Sequence, residues 1–397
     1  MLSNLSYLSK TKGIGGKIKE SPEDFMVEEI LSDGTVLELD KTVENPDIEG
    51  KFTRFVLQKK EWTTEGALRR IAKELRTGSK RFNYAGTKDK IAFTTQLVSA
   101  FDIDKKDILG LDLRDIRILG AWRHNEKVKL GDLLGNRFTI IVRNAENTGN
   151  VEKIQQELSG AFPNYFGEQR FGTTRKNTHR VGEHLLKGRT DLAVMEFIAG
   201  YEGETHEEAV AARKNLQETQ DFSKALKEFP RHLKLERSIL AHLEKNPRDY
   251  ANAFRKLPRG ILLLFIHAYQ SHLFNILLSE RIAEGEIKPE EGEYCCGKTS
   301  GFPDLDKKSD SGFIAGKIIG SETKLNEREQ RLLGELGIKP KDFNIKGIPE
   351  ISSKGTYRVL LSPLKDFSFN ENTFRFSLQS GSYATVALRE FLDRDKK

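Results

Sequence analysis

The chain has 397 residues, of which 37% are apolar and 31% charged, with 24 Phe and 33 Gly. That length exceeds what one core usually organises, so two domains of roughly 100 to 250 residues are expected, and a stapled peptide or a disordered chain is excluded. Lys and Arg number 65 against 59 Asp and Glu, and the net charge of +6 permits a polyanionic partner without demonstrating one, because clustering on one face decides.

In chain order, Phe25–Leu39 alternates like a hairpin around the turn Ser32-Asp33-Gly34. Phe52–Gln58 reads as a strand. Trp62–Leu75, with Thr63 or Thr64 as N-cap and Leu68, Ile71, Ala72 and Leu75 on one face, predicts an amphipathic helix. Arg81–Ala85 is a further strand that runs into the polar loop Gly86-Thr-Lys-Asp89. A second loop, Gly135-Asn136, leads into the strand Arg137–Arg143. Val151–Leu158 is helical, and the domain boundary is placed in the segment Phe162–Gly172. Residues from about 180 to 285 read as mainly helical and highly charged, while Cys295–Gly320 reads as loops and short strands. Strands at Tyr357–Leu361 and Thr373–Leu378 and a helix over Ala384–Asp393 close the chain.

No stretch approaches the ~18 to 20 apolar residues of a membrane helix, the longest run being Ile261–Ile266. The N-terminus lacks a basic segment followed by an apolar one, so cytoplasmic residence is expected. Two adjacent cysteines, Cys295 and Cys296, form neither a disulfide framework nor a Cys-x-x-Cys zinc pattern. The pairs His179/His184 and His267/His272 stand five apart, on divergent helix faces, so no metal site is expected. Gly292-Glu-Tyr-Cys-Cys-Gly-Lys-Thr299 matches a P-loop by letter. Its polar, Pro-containing lead and the following Gly301 and Pro303 contradict the strand and helix that a phosphate cradle needs.

What remains is a set of polar and aromatic segments. Asp89, between Lys88 and Lys90, is a candidate nucleophile or base held ionised by its neighbours; the alternative is a cap for a helix beginning near Ile91. Phe25, Phe138 and Phe376 fit either a strand core or the stacking of an extruded base. Arg170, Arg175, Lys176 and Arg180 are candidate phosphate contacts, with solvated surface charge as the alternative.

Five segments in order resemble the TruD family of tRNA pseudouridine synthases and span nearly the whole chain. They are Pro22-Glu-Asp-Phe-x-Val-x-Glu29, Ala85-Gly-Thr-Lys-Asp-Lys-x-Ala92 with Thr94 and Gln96, Gly135-Asn-Arg-Phe-Thr139, Pro163-Asn-Tyr-Phe-Gly-Glu-Gln-Arg-Phe-Gly172, and Phe376-Ser-Leu-Gln-Ser-Gly-Ser-Tyr-Ala-Thr385 with Arg389-Glu390. The resemblance implies an α+β fold: a pseudouridine synthase catalytic domain with a mixed, mainly antiparallel sheet from residues 1–162 and 356–397, and an inserted α/β domain over 163–355. It implies Asp89 as the catalytic nucleophile, Lys19 as its partner with Lys17 nearby, and Phe25, Asn136 and Phe376 around the uridine; Arg170, among the basic candidates above, is taken as a further substrate contact. It implies tRNA as the partner, uridine 13 as the target, and an isomerisation that needs no cofactor and no metal. Two other readings are weighed: a non-catalytic RNA-binding protein that retains the fold, and a hydrolase using Asp89 with Glu29.

Overall fold

The computed structural model describes residues 4–285 and 287–393. They divide into two compact units. A sheet unit comprises Leu8–Asn164, Lys298–Asp304 and the chain from Leu361 onward; a helical unit comprises the N-terminal residues through Tyr7, Tyr165–Gly297 and Leu305–Leu360.

The sheet unit is organised by β1 (Phe25–Ile30), β2 (Phe52–Lys60), β3 (Phe82–Tyr84), β4 (Phe93–Phe101), β5 (Ile116–His124) and β6 (Gly135–Ile141), with Lys365–Asn370 and Thr373–Gln379 returning from the far end of the chain. The order across the sheet is Lys365–Asn370, Thr373–Gln379, β6, β1, β4, β2, β5, with β3 also paired to β4. β1 and β4 run parallel, while the other strand pairs of this sheet are antiparallel. Alternate residues of β2 and β4 enter different cores because successive side chains of a strand point to opposite faces. Phe55, Leu57, Val98 and Ala100 pack with Ala67, Leu68, Ile71 and Ala72 of helix α1 (Thr64–Glu74), whereas Val56 and Leu97 pack with Leu37, Leu119 and Trp122.

Three local expectations are corrected. Only the first arm of the Phe25–Leu39 hairpin is a strand, and Val36 meets Ile30 in an isolated bridge. β6 takes one edge of β1 and β4 the other over Met26–Glu28, so the second arm reaches β1 only at its end, where the Leu37 N–H bonds the Glu29 carbonyl. Gly135 and Asn136 are strand residues of β6, opposite Gln379 and Leu378. Glycine is required there, since a Cβ on Gly135 would stand 2.1 Å from the Leu378 carbonyl oxygen. No helix follows Asp89; the chain stays irregular until β4, which pairs with three other strands.

The helical unit is organised around Arg259–Glu284, a helix of 26 residues. Its Leu262, Phe265, Ile266, Tyr269 and Leu273 pack with Val181, Leu185, Phe197, Phe254 and Ile319. This helix corrects the reading of apolar run lengths: it is long and apolar enough to cross a membrane, with 67% of its most apolar window buried inside the protein. Interspersed polar residues such as Gln270 and Asn275 hid that length in the sequence. Strands Tyr294–Thr299, Phe302–Ser309, Phe313–Ile318 and Thr356–Val359 form a four-stranded sheet. The P-loop-like letters Gly292–Thr299 lie largely in the first of these strands, with no helix after them to cradle a phosphate.

Candidate active site

Asp89 sits on the loop between β3 and β4, which is tied to the sheet by side chains rather than by regular structure. Thr63 caps α1, its hydroxyl oxygen accepting the Gly66 N–H at 3.0 Å, and this places Thr64 at the helix start. The buried Thr64 hydroxyl accepts the Lys88 N–H at 2.9 Å and donates to Gln96 Oε1 at 2.8 Å, while Gln96 Nε2 donates to the Gly86 carbonyl at 3.0 Å. Lys88 turns inward, and its ammonium reaches Glu29 at 2.6 Å and Asn136 Oδ1 at 2.7 Å. Glu29, fully buried, also accepts the Leu97 N–H at 3.0 Å. A buried ion pair with these added hydrogen bonds is costly to break, because either partner alone would be an uncompensated charge.

With Lys88 committed inward, the next residue is held at the surface of the site. The Asp89 carboxylate, 35% exposed, accepts from Lys19 Nζ at 2.5 Å. Lys19 has φ +62°, a left-handed backbone that a lysine rarely adopts. Two anchors hold it there: the bridge of Lys17 to Arg143, and the carboxylate of Asp24 gripped by Arg143 at 2.6 Å. Lys17 itself points away, mostly exposed and 3.9 Å from Glu20.

Lys59 completes the group and was not singled out in the sequence. Its side chain is buried, and its ammonium donates to the Asp89 backbone carbonyl at 2.9 Å. Burial pushes its pKa down to about 8, against the attraction of Asp89 and assisted by the repulsion of Lys88. The signal was available: Phe55, Leu57 and Lys59 alternate on one strand, so the lysine must enter the face that the two apolar residues enter.

The aromatic candidates lie on the same sheet. Phe25 is buried, its ring 4.0 Å from Lys19 Nζ and 6.0 Å from the ring of Phe138. Phe376 pairs with Phe138 across the strands, with ring centroids 5.6 Å apart, and is only 1% exposed. The structure therefore gathers Lys19, Phe25, Asp89, Asn136 and Phe376 within the sheet unit, whereas Arg170 belongs to the helical unit. There Arg170 donates to the Ser271 hydroxyl at 3.2 Å and lies over the Phe166 ring.

The other basic candidates of that segment are engaged with their own unit. Arg175 donates to the Phe197 and Gly200 carbonyls at 2.7 and 3.0 Å, and burial lowers its pKa to about 10. Lys176 pairs with Glu168, and Arg180 with Glu196 and Glu202. The rings of His179 and His272, which come from different helices, lie 4.8 Å apart at a 49° tilt, and burial holds both below the usual histidine range. Among the described residues, no three His, Cys, Asp or Glu side chains are grouped to hold a metal ion.

Comparison with known proteins agrees with this architecture. A family model described as tRNA pseudouridine synthase D (TruD) matches residues 2–391. The chain is 36% identical to the "Probable tRNA pseudouridine synthase D" of Methanosarcina acetivorans, over 98% of this chain and 95% of that protein. It is 39% identical to the protein of the same name from Methanopyrus kandleri, over 86% of each chain. A crystal structure of the TruD protein from Methanosarcina mazei superposes with a TM-score of 0.76 at 35% identity, covering 97% of this chain and 95% of that one. The α+β fold and the order of its motifs thus carry the same assignment as the direct comparisons, and the chain belongs to the TruD family of tRNA pseudouridine synthases.

Proposed function

We propose that this protein isomerises uridine 13 of tRNA to pseudouridine, with Asp89 as the group that attacks the nucleotide and Lys19 as its partner. Family membership supplies the reaction class, an isomerisation on tRNA. The observation that carries the finer reading is the Lys19–Asp89 pair, at 2.5 Å and partly exposed on a loop fixed by Lys59, Thr64, Lys88 and Gln96.

In this reaction the bond between ribose C1′ and uracil N1 breaks, the uracil turns, and a bond from C1′ to C5 forms. The hydrogen on C5 is lost as a proton and N1 gains one, so the product is an isomer, with no redox change and no energy input. A carboxylate must therefore be ionised and positioned, whether it attacks C1′ or C6 or removes the C2′ proton. Lys19, 2.5 Å away, holds the Asp89 carboxylate in place. The glycosidic bond of a stacked base is inaccessible, so the uridine must be extruded, and Phe25 and Asn136 border the position it would take, with Phe376 behind Phe138. We assign catalysis to the sheet unit and read the helical unit as the inserted domain.

Buried Glu29, occupied by Lys88 and the Leu97 N–H, supplies no second accessible carboxylate, which disfavours the hydrolase reading. The test is pseudouridine mapping by carbodiimide labelling and primer extension on unmodified tRNA transcripts, with the wild type and Asp89→Ala. A stop at position 13 with the wild type alone is the expected result. Binding without a stop on several tRNAs would favour the non-catalytic reading.

A further inference from the structure

The most exposed large apolar side chain of the described residues is Leu130, at 83%. It occupies the corner of a β-turn in which the Asp132 N–H bonds the Lys129 carbonyl at 3.1 Å and Gly131 adopts φ +86°. That geometry, with glycine at the third position, projects the second residue outward. The turn is rigidly placed. Buried Val128 donates its N–H to the Ser99 hydroxyl at 2.9 Å, and the Gly131 N–H bonds the carbonyl of Ala85, where the Asp89 loop begins, at 2.8 Å. On the Asp89 loop itself, Ile91 is 53% exposed, turned out by the bond from the Ala92 N–H to the Lys90 carbonyl.

A single exposed apolar residue needs no explanation. Two of them, on two loops joined by a backbone hydrogen bond, one of which carries Asp89, are a different matter. Beside them, Lys90, Lys127 and Lys129 are exposed and make no ion pair among the described residues. An apolar tip between unpaired lysines matches the chemistry of a side chain that enters a base stack while its neighbours hold the phosphates.

The geometry points to Leu130, seconded by Ile91, as the wedge that occupies the stack vacated by the target uridine, with Lys127 and Lys129 on the adjacent phosphates. This inference rests on the proposed reading as a tRNA-modifying enzyme and names the device that opens its substrate. An apolar plug offsets part of the unstacking cost, which is a few kcal/mol and smallest when the base is already mismatched.

The test is the single-turnover rate on two tRNA transcripts, one natural and one with a mismatch at the target uridine. Leu130→Ala should lower the ratio of natural to mismatched rates by about tenfold or more, and Leu130→Met should restore it. Ile91→Ala should lower it less. Lys127→Ala and Lys129→Ala should each reduce the slope of log affinity against log salt by about one. An unchanged ratio in Leu130→Ala, or equal losses on both RNAs, overturns the wedge while leaving the enzyme reading intact. Failure of the wild type to modify either RNA overturns the enzyme reading itself. Leu130 lies in solvent, so its replacement should leave the thermal midpoint unchanged, which separates a wedge from a folding defect.

Discussion

The sheet unit and the helical unit use their cations in opposite ways. Around the Asp89 loop, three lysines, Lys19, Lys59 and Lys88, converge on two carboxylates, Asp89 and Glu29, and on one backbone carbonyl. In the helical unit, Lys176 meets Glu168, Arg180 meets Glu196 and Glu202, and Arg175 caps two carbonyls, so that cluster of positive charge is committed to structure. Charge counted along a chain therefore says little about function. A lysine directed at a loop by strand alternation has a role that one paired with a nearby surface carboxylate does not.

The contrast can be broken in steps. Asp89→Asn keeps the shape of the site and removes its charge; turnover on tRNA should fall by more than about a thousandfold, as for loss of a nucleophile acting in a unit, and near-normal rates in the mapping assay would remove Asp89 from the mechanism. Lys88→Met leaves Glu29 buried without its cation. Urea unfolding should register a loss of about 3–5 kcal/mol, and a loss below 1 kcal/mol would mean that the pair does not anchor the loop.

Lys59 sharpens the comparison through pH. Its pKa is near 8 in the folded protein and about 10.5 when unfolded, so between those values the unfolded chain binds more protons and stability rises with pH. Below pH 8 the buried charge opposes folding in full. Relative to Lys59→Met, which lacks that penalty, the wild type should gain up to about 3 kcal/mol between pH 8 and 10.5. A difference between their urea midpoints that stays flat over that range would place the ammonium in solvent. The smallest effect belongs to the other unit. Lys176→Ala should change tRNA affinity by less than about twofold, because its charge is already matched by Glu168 and a surface pair contributes little. A large loss in a filter-binding titration would mean that RNA displaces Glu168.

Much of this protein was legible in the amino-acid order. Thr63 and the apolar face of α1, the strand before the Asp89 loop and the mixed α+β character rest on capping and periodicity, whereas Lys19, Phe25 and Asn136 were picked out by the family resemblance, and β4 after the loop was missed because Thr94, Thr95, Gln96 and Ser99 interrupt its apolar pattern. Other features depended on partners distant in sequence. Whether Thr35–Leu39 is a strand was decided by β6 taking one edge of β1 and β4 the other over Met26–Glu28, and whether Gly135 begins a strand was decided by Leu378, more than two hundred residues away. How Lys19 reaches Asp89 depended on a left-handed backbone held between two anchors. The lysine beneath the Asp89 loop and the pairing of the basic cluster required the folded chain as well. Hydrogen bonds and ion pairs act over a few ångströms, and only the tertiary structure determines which groups come within that reach.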